Sequence, residues 1–133
     1  MGDCLCYMTQ IRISRVYADA GGTPDDGYRV FVDRLWPRGE SKSKFHYDLW
    51  AKDISPSAAL REWYHADPEG RWPEFERRYL AELDGSEAAA GLVRELSSHK
   101  VVTLLYGSKD TAHNNAVVLA GFLAKHLKDN DKE

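Results

Sequence analysis

Two short stretches of the 133-residue chain gather side chains able to hold an anion or move a proton. The first is Asp33-Arg34-Leu35-Trp36-Pro37-Arg38-Gly39. The second is Tyr106-Gly107-Ser108-Lys109-Asp110-Thr111, with His113 and Asn114 close behind. Guanidinium forks match the geometry of carboxylate and phosphate, so Arg34 and Arg38 are candidate anion ligands. Their structural alternative is pairing with Asp33, Asp48 or Asp53 to hold the loop. Trp36 could stack on a ligand ring or plug the core beneath the Pro-Arg-Gly turn, and large aromatics beside proline more often pack. Tyr106 is a second candidate for stacking.

In the second stretch a tight turn runs into a helix, whose first N–H groups and dipole favour an anion; Lys109 would add charge there. With one glycine and no Gly-Lys-Ser/Thr this is a weaker signal than a P-loop. An Asp110 or Thr111 helix cap with a solvated Lys109 explains the same residues. His113 is the best acid–base candidate. At a helix start its imidazole is biased toward the neutral form, and Asp110 or Asp33 could orient it. A histidine bonded to a backbone carbonyl is the plain alternative. Asn114 completes the set as a ligand contact. His46, His65, His99 and His126 lack metal-ligand spacing, so neither a metal nor a cofactor is expected. Asp48, Lys52 and Asp53 would close the pocket from the side or form surface ion pairs. Arg71, Arg77 and Arg78, interleaved with Glu74, Glu76 and Glu82, read as a solvated helix face.

The elements that must position these residues follow from periodicity. Ile11–Tyr17 and Tyr28–Trp36 read as strands, the second stopped by Pro37, and 46–50 as a short strand or a turn of helix. The loop 20–27 is too short for a crossover helix, which leaves the direction of the first strand open. Three helices follow. Ser55 caps the first with Pro56 at its start and Leu60, Trp63 and Tyr64 as its stripe. The second has Pro73 near its start and Gly85 past its end, and Ser86 caps the third. Val101–Tyr106 is continuously apolar, as in a strand covered on both faces. A last helix is expected from about Ala112 to Leu127, deeply packed between Ala116 and Ala124. The fold class is therefore α/β: a small, mainly parallel sheet of three to four strands flanked by about four to five helices. Only helices separate the second and last strands, so these should be parallel, with carboxyl ends on one edge, where open α/β sheets bind ligands.

Three of these segments carry a resemblance. Val32–Gly39, Asp48–Ser57 and Leu104–Val117 together resemble the YeaO-like branch of the domain-of-unknown-function-488 family, over residues 9 to 127. The resemblance implies a compact α/β domain of bacterial type and the cytoplasm, and it brings no activity. A more distant branch looks to carry a Cys-His-Arg segment near the place of His113-Asn114-Asn115. This chain has no cysteine there, so a thiol mechanism is not supported.

Composition bounds the rest. Hydrophobic residues make up 43% and charged residues 29%, which is globular rather than disordered, and the net charge of −3 gives no basic field for nucleic acid. No apolar run approaches a membrane span. Cys4 and Cys6, the only cysteines, are too close for a sound disulfide, which points to a reducing cytoplasm. Residues 1–8 are expected to be a flexible extension with Met8 the natural start, residues 9–128 one domain, and 129–133 a frayed tail. Two function classes remain. The first is a small-ligand protein or enzyme for a phosphorylated or nucleotide-like anion. The second is a non-catalytic module for nucleic acid or a protein partner, its nucleic-acid form disfavoured by the acidic balance.

Overall fold

The computed structural model describes residues 9–131; the expected extension over 1–8 and the end of the tail lie outside them. Four strands form one sheet: β1 (Gln10–Arg15), β2 (Tyr28–Phe31), β3 (Leu49–Trp50) and β4 (Val101–Tyr106). Their order is β1-β4-β2-β3 and every pairing is parallel, with Leu104 of β4 facing Ile13 on one side and Val30 on the other. The continuously apolar segment is thus a central strand, as its pattern demands. The direction of the first strand, open in the sequence, is parallel.

Helices α1 (Ala58–His65), α2 (Pro68–Asp84), α3 (Glu87–Leu96) and α4 (Asn115–Asp131) all pack on one face of this sheet. They bury Val30, Val102, Leu104 and Tyr106 with Tyr64, Phe75, Tyr79, Leu96, Leu119 and Leu123. Strand alternation sends Phe31 and Leu105 the other way. There they meet Val16 and Phe45, flanked by Trp36, Tyr47 and Trp50. That second face is covered by loops rather than helices.

β1 reaches β2 through residues 16–27, a connection with two 3₁₀ turns and no α-helix. The fully buried Arg29 makes this possible. Its guanidinium donates to the carbonyls of Asp19, Ala20 and His46 and to the Asp26 carboxylate at 2.6 Å. A cation on the sheet therefore does what the apolar face of a crossover helix usually does. Gly22 lies so close over this guanidinium that a Cβ would fall 2.2 Å from Nη1.

The second strand is shorter than its apolar pattern. Val32 N–H still donates to Leu105 O at 3.0 Å, but the Val32 carbonyl accepts from Asn115 Nδ2 and the Asp33 carbonyl from Trp50 Nε1. Side chains take over as partners, and the chain leaves the sheet at Asp33. Helix starts shift for similar reasons. Ser55 closes a 3₁₀ turn over Lys52–Ile54, its hydroxyl donating to Lys52 O, so the cap of α1 is Ser57, which accepts from Leu60 N–H. Asp67 caps α2 with Pro68 at its first position, which places Pro73 inside the helix. Ser86 caps α3 as expected, accepting from Ala89 N–H at 3.1 Å.

Tyr79, wholly buried on α2, donates its hydroxyl to Ile54 O at 2.6 Å and so ties the α1 approach to the core. Tyr79→Phe should leave that carbonyl unpartnered and cost about 1–3 kcal/mol, read as a lower urea midpoint at unchanged slope.

Candidate functional site

The two chemistry-bearing stretches leave neighbouring, co-directional strands side by side. Gly107, just past β4, donates its N–H to Asp33 Oδ2 at 2.9 Å, just past β2. Between them opens a cleft of about 490 Å³ at the carboxyl edge of the sheet. The β2 loop supplies Asp33 to Arg38 along one wall, and Gly107, Ser108 and His113 to Asn115 form the β4 side. Tyr17 reaches in from the end of β1, its hydroxyl donating to Arg38 O at 2.7 Å. The opposite wall comes from Ser55 and Pro56, from Arg61, Tyr64 and His65 of α1, and from Phe75 of α2.

The individual placements differ in what they leave available. Arg34 and Arg38 are exposed and line the cleft; among the described residues neither forms a salt bridge. Asp48, one of the partners considered for them, accepts instead from the Arg29 backbone N–H at 2.8 Å. Trp36 touches the cleft but is packed edge-on against Phe45, Tyr47 and Trp50, with Nε1 donating to Glu40 O. Tyr106 is 4% exposed and points into the helix-side core, away from the cleft wall. Lys109 is exposed and outside that wall.

Asp110 Oδ1 accepts the N–H groups of Ala112 and His113, at 3.0 and 2.9 Å. Those two bonds, His113 first, hold its carboxyl below the usual range. Because Asp110 closes this separate turn, α4 starts at Asn115 rather than near Ala112, and the buried Asn114 is its cap: Oδ1 accepts from Val117 N–H and Nδ2 donates to Asp110 O. Asn114 therefore spends its amide on the fold. His113 lines the cleft with its ring stacked 4.6 Å from that of Trp72, and its Nδ1 stands 3.7 Å from Asp110 Oδ2, beyond hydrogen-bond reach. Asp33, the other proposed partner of His113, has its carboxylate on Gly107 instead. Burial pushes the Asp33 carboxyl up, against the downward pull of Gly107 N–H and the Asn115 amide. Burial, and then the Asp110 charge, also raise the Tyr64 hydroxyl.

Arg61, His65, Tyr17 and Asn115 join the site without having been singled out in the sequence. Arg61 is the most consequential: a third guanidinium at the cleft that, among the described residues, is in no salt bridge. Its only sequence signal was a position beside the Leu60–Trp63–Tyr64 stripe. Among the described residues, no cluster of three or more His, Cys, Asp or Glu could hold a metal ion. No described helix is long and apolar enough to cross a membrane.

Comparison with known proteins places the chain in a family. A family model described as the inactive DUF488-N3 subclade matches residues 10–133. Uncharacterized protein Rv3073c of Mycobacterium tuberculosis is 47% identical over 115 residues, covering 86% of this chain and 94% of the relative. Uncharacterized protein YeaO of Escherichia coli is 41% identical over 113 residues, covering 85% and 96%. No solved structure matches. The chain belongs to the DUF488 family, within the branch described as the inactive DUF488-N3 subclade.

Proposed function

We propose that the cleft binds a small phosphorylated or nucleotide-like anion, and that the protein acts by binding rather than by turnover. One observation carries this: Arg34, Arg38 and Arg61 line a single cleft and, among the described residues, none is neutralised by a salt bridge. Each guanidinium brings five N–H donors in a fixed fork suited to phosphate. The volume of about 490 Å³ falls in the usual range of ligand sites, about 300–1,000 Å³, and Tyr17, Tyr64 and Phe75 add aromatic surface. Enclosure in a cleft favours a small ligand over a polymer, and the net charge of −3 weighs against nucleic acid.

The case for turnover is weaker. The His113 imidazole is stacked on Trp72 and hydrogen-bonded to neither aspartate carboxylate, and Asp110 is engaged in its own turn, where it accepts the His113 backbone N–H. No thiol stands at the position where a more distant branch of the family looks to have one. The family's description as inactive fits a binding role. The two neighbouring N-terminal cysteines support a cytoplasmic location.

Thermal shift with inorganic phosphate, ribose 5-phosphate and nucleoside monophosphates tests the reading. Wild type should be stabilised by at least one of them. Arg38→Ala and Arg61→Ala should each weaken that response about tenfold or more, the scale of a lost charge-assisted hydrogen bond. A wild type indifferent to every anion at millimolar concentration, or variants that respond as it does, would overturn the proposal.

A further inference from the structure

Asp33 is the one carboxylate in the wall that also holds three arginines, and among the described residues it is paired with none of them. A carboxylate there would repel a simple anion, so its presence calls for a different partner. The fold spends several contacts on holding it still. Oδ2 accepts from Gly107 N–H at 2.9 Å, the Asp33 carbonyl accepts from Trp50 Nε1 at 2.7 Å, and the preceding Val32 carbonyl accepts from Asn115 Nδ2 at 3.1 Å. An ionised carboxylate has about four lone-pair sites. Gly107 fills one, so acceptor capacity remains on a residue that lines the cleft.

Resting on the anion-binding reading, we infer that Asp33 sets the specificity of the cleft by accepting a hydrogen bond from a hydroxyl or amino group of the same phosphorylated ligand that the arginines hold. The site is thus built for a molecule of two characters, anionic at one end and a hydrogen-bond donor at the other. Bare phosphate satisfies only half of it. Asp33 is half-buried, and an acceptor that a bound ligand covers without offering a donor discriminates against that ligand, because it loses its water and gains nothing in return. Burial already makes the free carboxylate uncomfortable, which fits a group awaiting a donor.

Calorimetric titration with three small phosphate monoesters separates the possibilities. Methyl phosphate has no donor beyond its phosphate, ribose 5-phosphate offers hydroxyls, and phosphoethanolamine offers an ammonium. Wild type should bind one of the last two at least tenfold more tightly than methyl phosphate, and which one identifies the donor. In Asp33→Asn, which keeps the size of the side chain and an acceptor for Gly107, that preference should collapse to less than threefold. Methyl phosphate itself should bind as well as before or better, since a negative charge has gone. Asp33→Ser serves as a second variant if the first does not fold. Equal affinity of wild type for all three esters, or a preference that survives in the folded variant, overturns the role of Asp33 while leaving the anion site intact. If wild type binds none of the three, the anion site itself is lost with it.

Discussion

Arg29→Met should cost about 3–5 kcal/mol, the scale for removing one partner of a buried ion pair. The guanidinium is 1% exposed and the Asp26 side chain 12% exposed, so the carboxylate left behind has little water to turn to. Three main-chain carbonyls, of Asp19, Ala20 and His46, lose donors at the same time. Double replacement with Asp26→Leu would cure the stranded charge but not the stranded carbonyls, so recovery should be partial; full recovery in a denaturant titration would show that the ion pair alone mattered. The pH dependence has a fixed sign. Burial by itself would raise the Asp26 carboxyl, but Thr23 N–H and then the Arg29 guanidinium outweigh it and hold it below 3.8. A carboxyl depressed in the folded state contributes stability above its unfolded value and loses it as pH falls through the folded one. The gap between wild type and Arg29→Met should therefore be complete at neutral pH and narrow below about pH 4.

Gly27→Ala should be nearly as damaging, at about 3 kcal/mol or more, because strain at such a backbone position and a steric clash add. Gly27 has φ 66° and ψ −133°, a region essentially restricted to glycine. A Cβ there would also stand 2.2 Å from Val101 O, at the start of the central strand. Relief would require the crossover to lift away from β4 where β2 begins. Gly21→Ala is the control: nothing lies within 4 Å of its Cβ position and its φ is unexceptional. It should change stability by no more than about 0.5 kcal/mol. Comparable urea midpoints for the two variants would contradict this account.

What could be read from the sequence follows from what periodicity encodes. Val101–Tyr106 declares a buried strand by its unbroken apolar run, and the helical stretch between it and β2 forces the parallel pairing that brings Asp33 and Gly107 together. Arg29 could not be read. Alternation marks it as a residue facing away from the helix-side core, and a buried guanidinium looks there like a solvated one. The same alternation, carried two residues past Leu104, would have turned Tyr106 inward with Val102 and Leu104. Arg61 escaped for a different reason: a helix stripe identifies the core face but not which boundary residue overhangs a distant loop. Helix starts slipped by two or three residues wherever several capable oxygens compete, as with Ser55 and Ser57, or Asp110 and Asn114. Choosing among such oxygens depends on partners brought by the tertiary fold, Glu82 on Ser57 being one: its Oε2 accepts the Ser57 hydroxyl at 2.6 Å.

The sheet wears two unlike coats, helices on one side and polar-stitched loops on the other, and they should not come off together. Local opening is easiest where few apolar contacts hold the backbone. In native-state hydrogen exchange, segments 16–27 and 32–48 should thus release their amides well before α2 or α4. The cleft straddles the seam between the coats, with Arg38 on the looser one and Arg61 on the firmer. A ligand gripping both would rivet them together, and its arrival would be felt as slowed exchange spreading along the loop coat while the helical coat stays as it was.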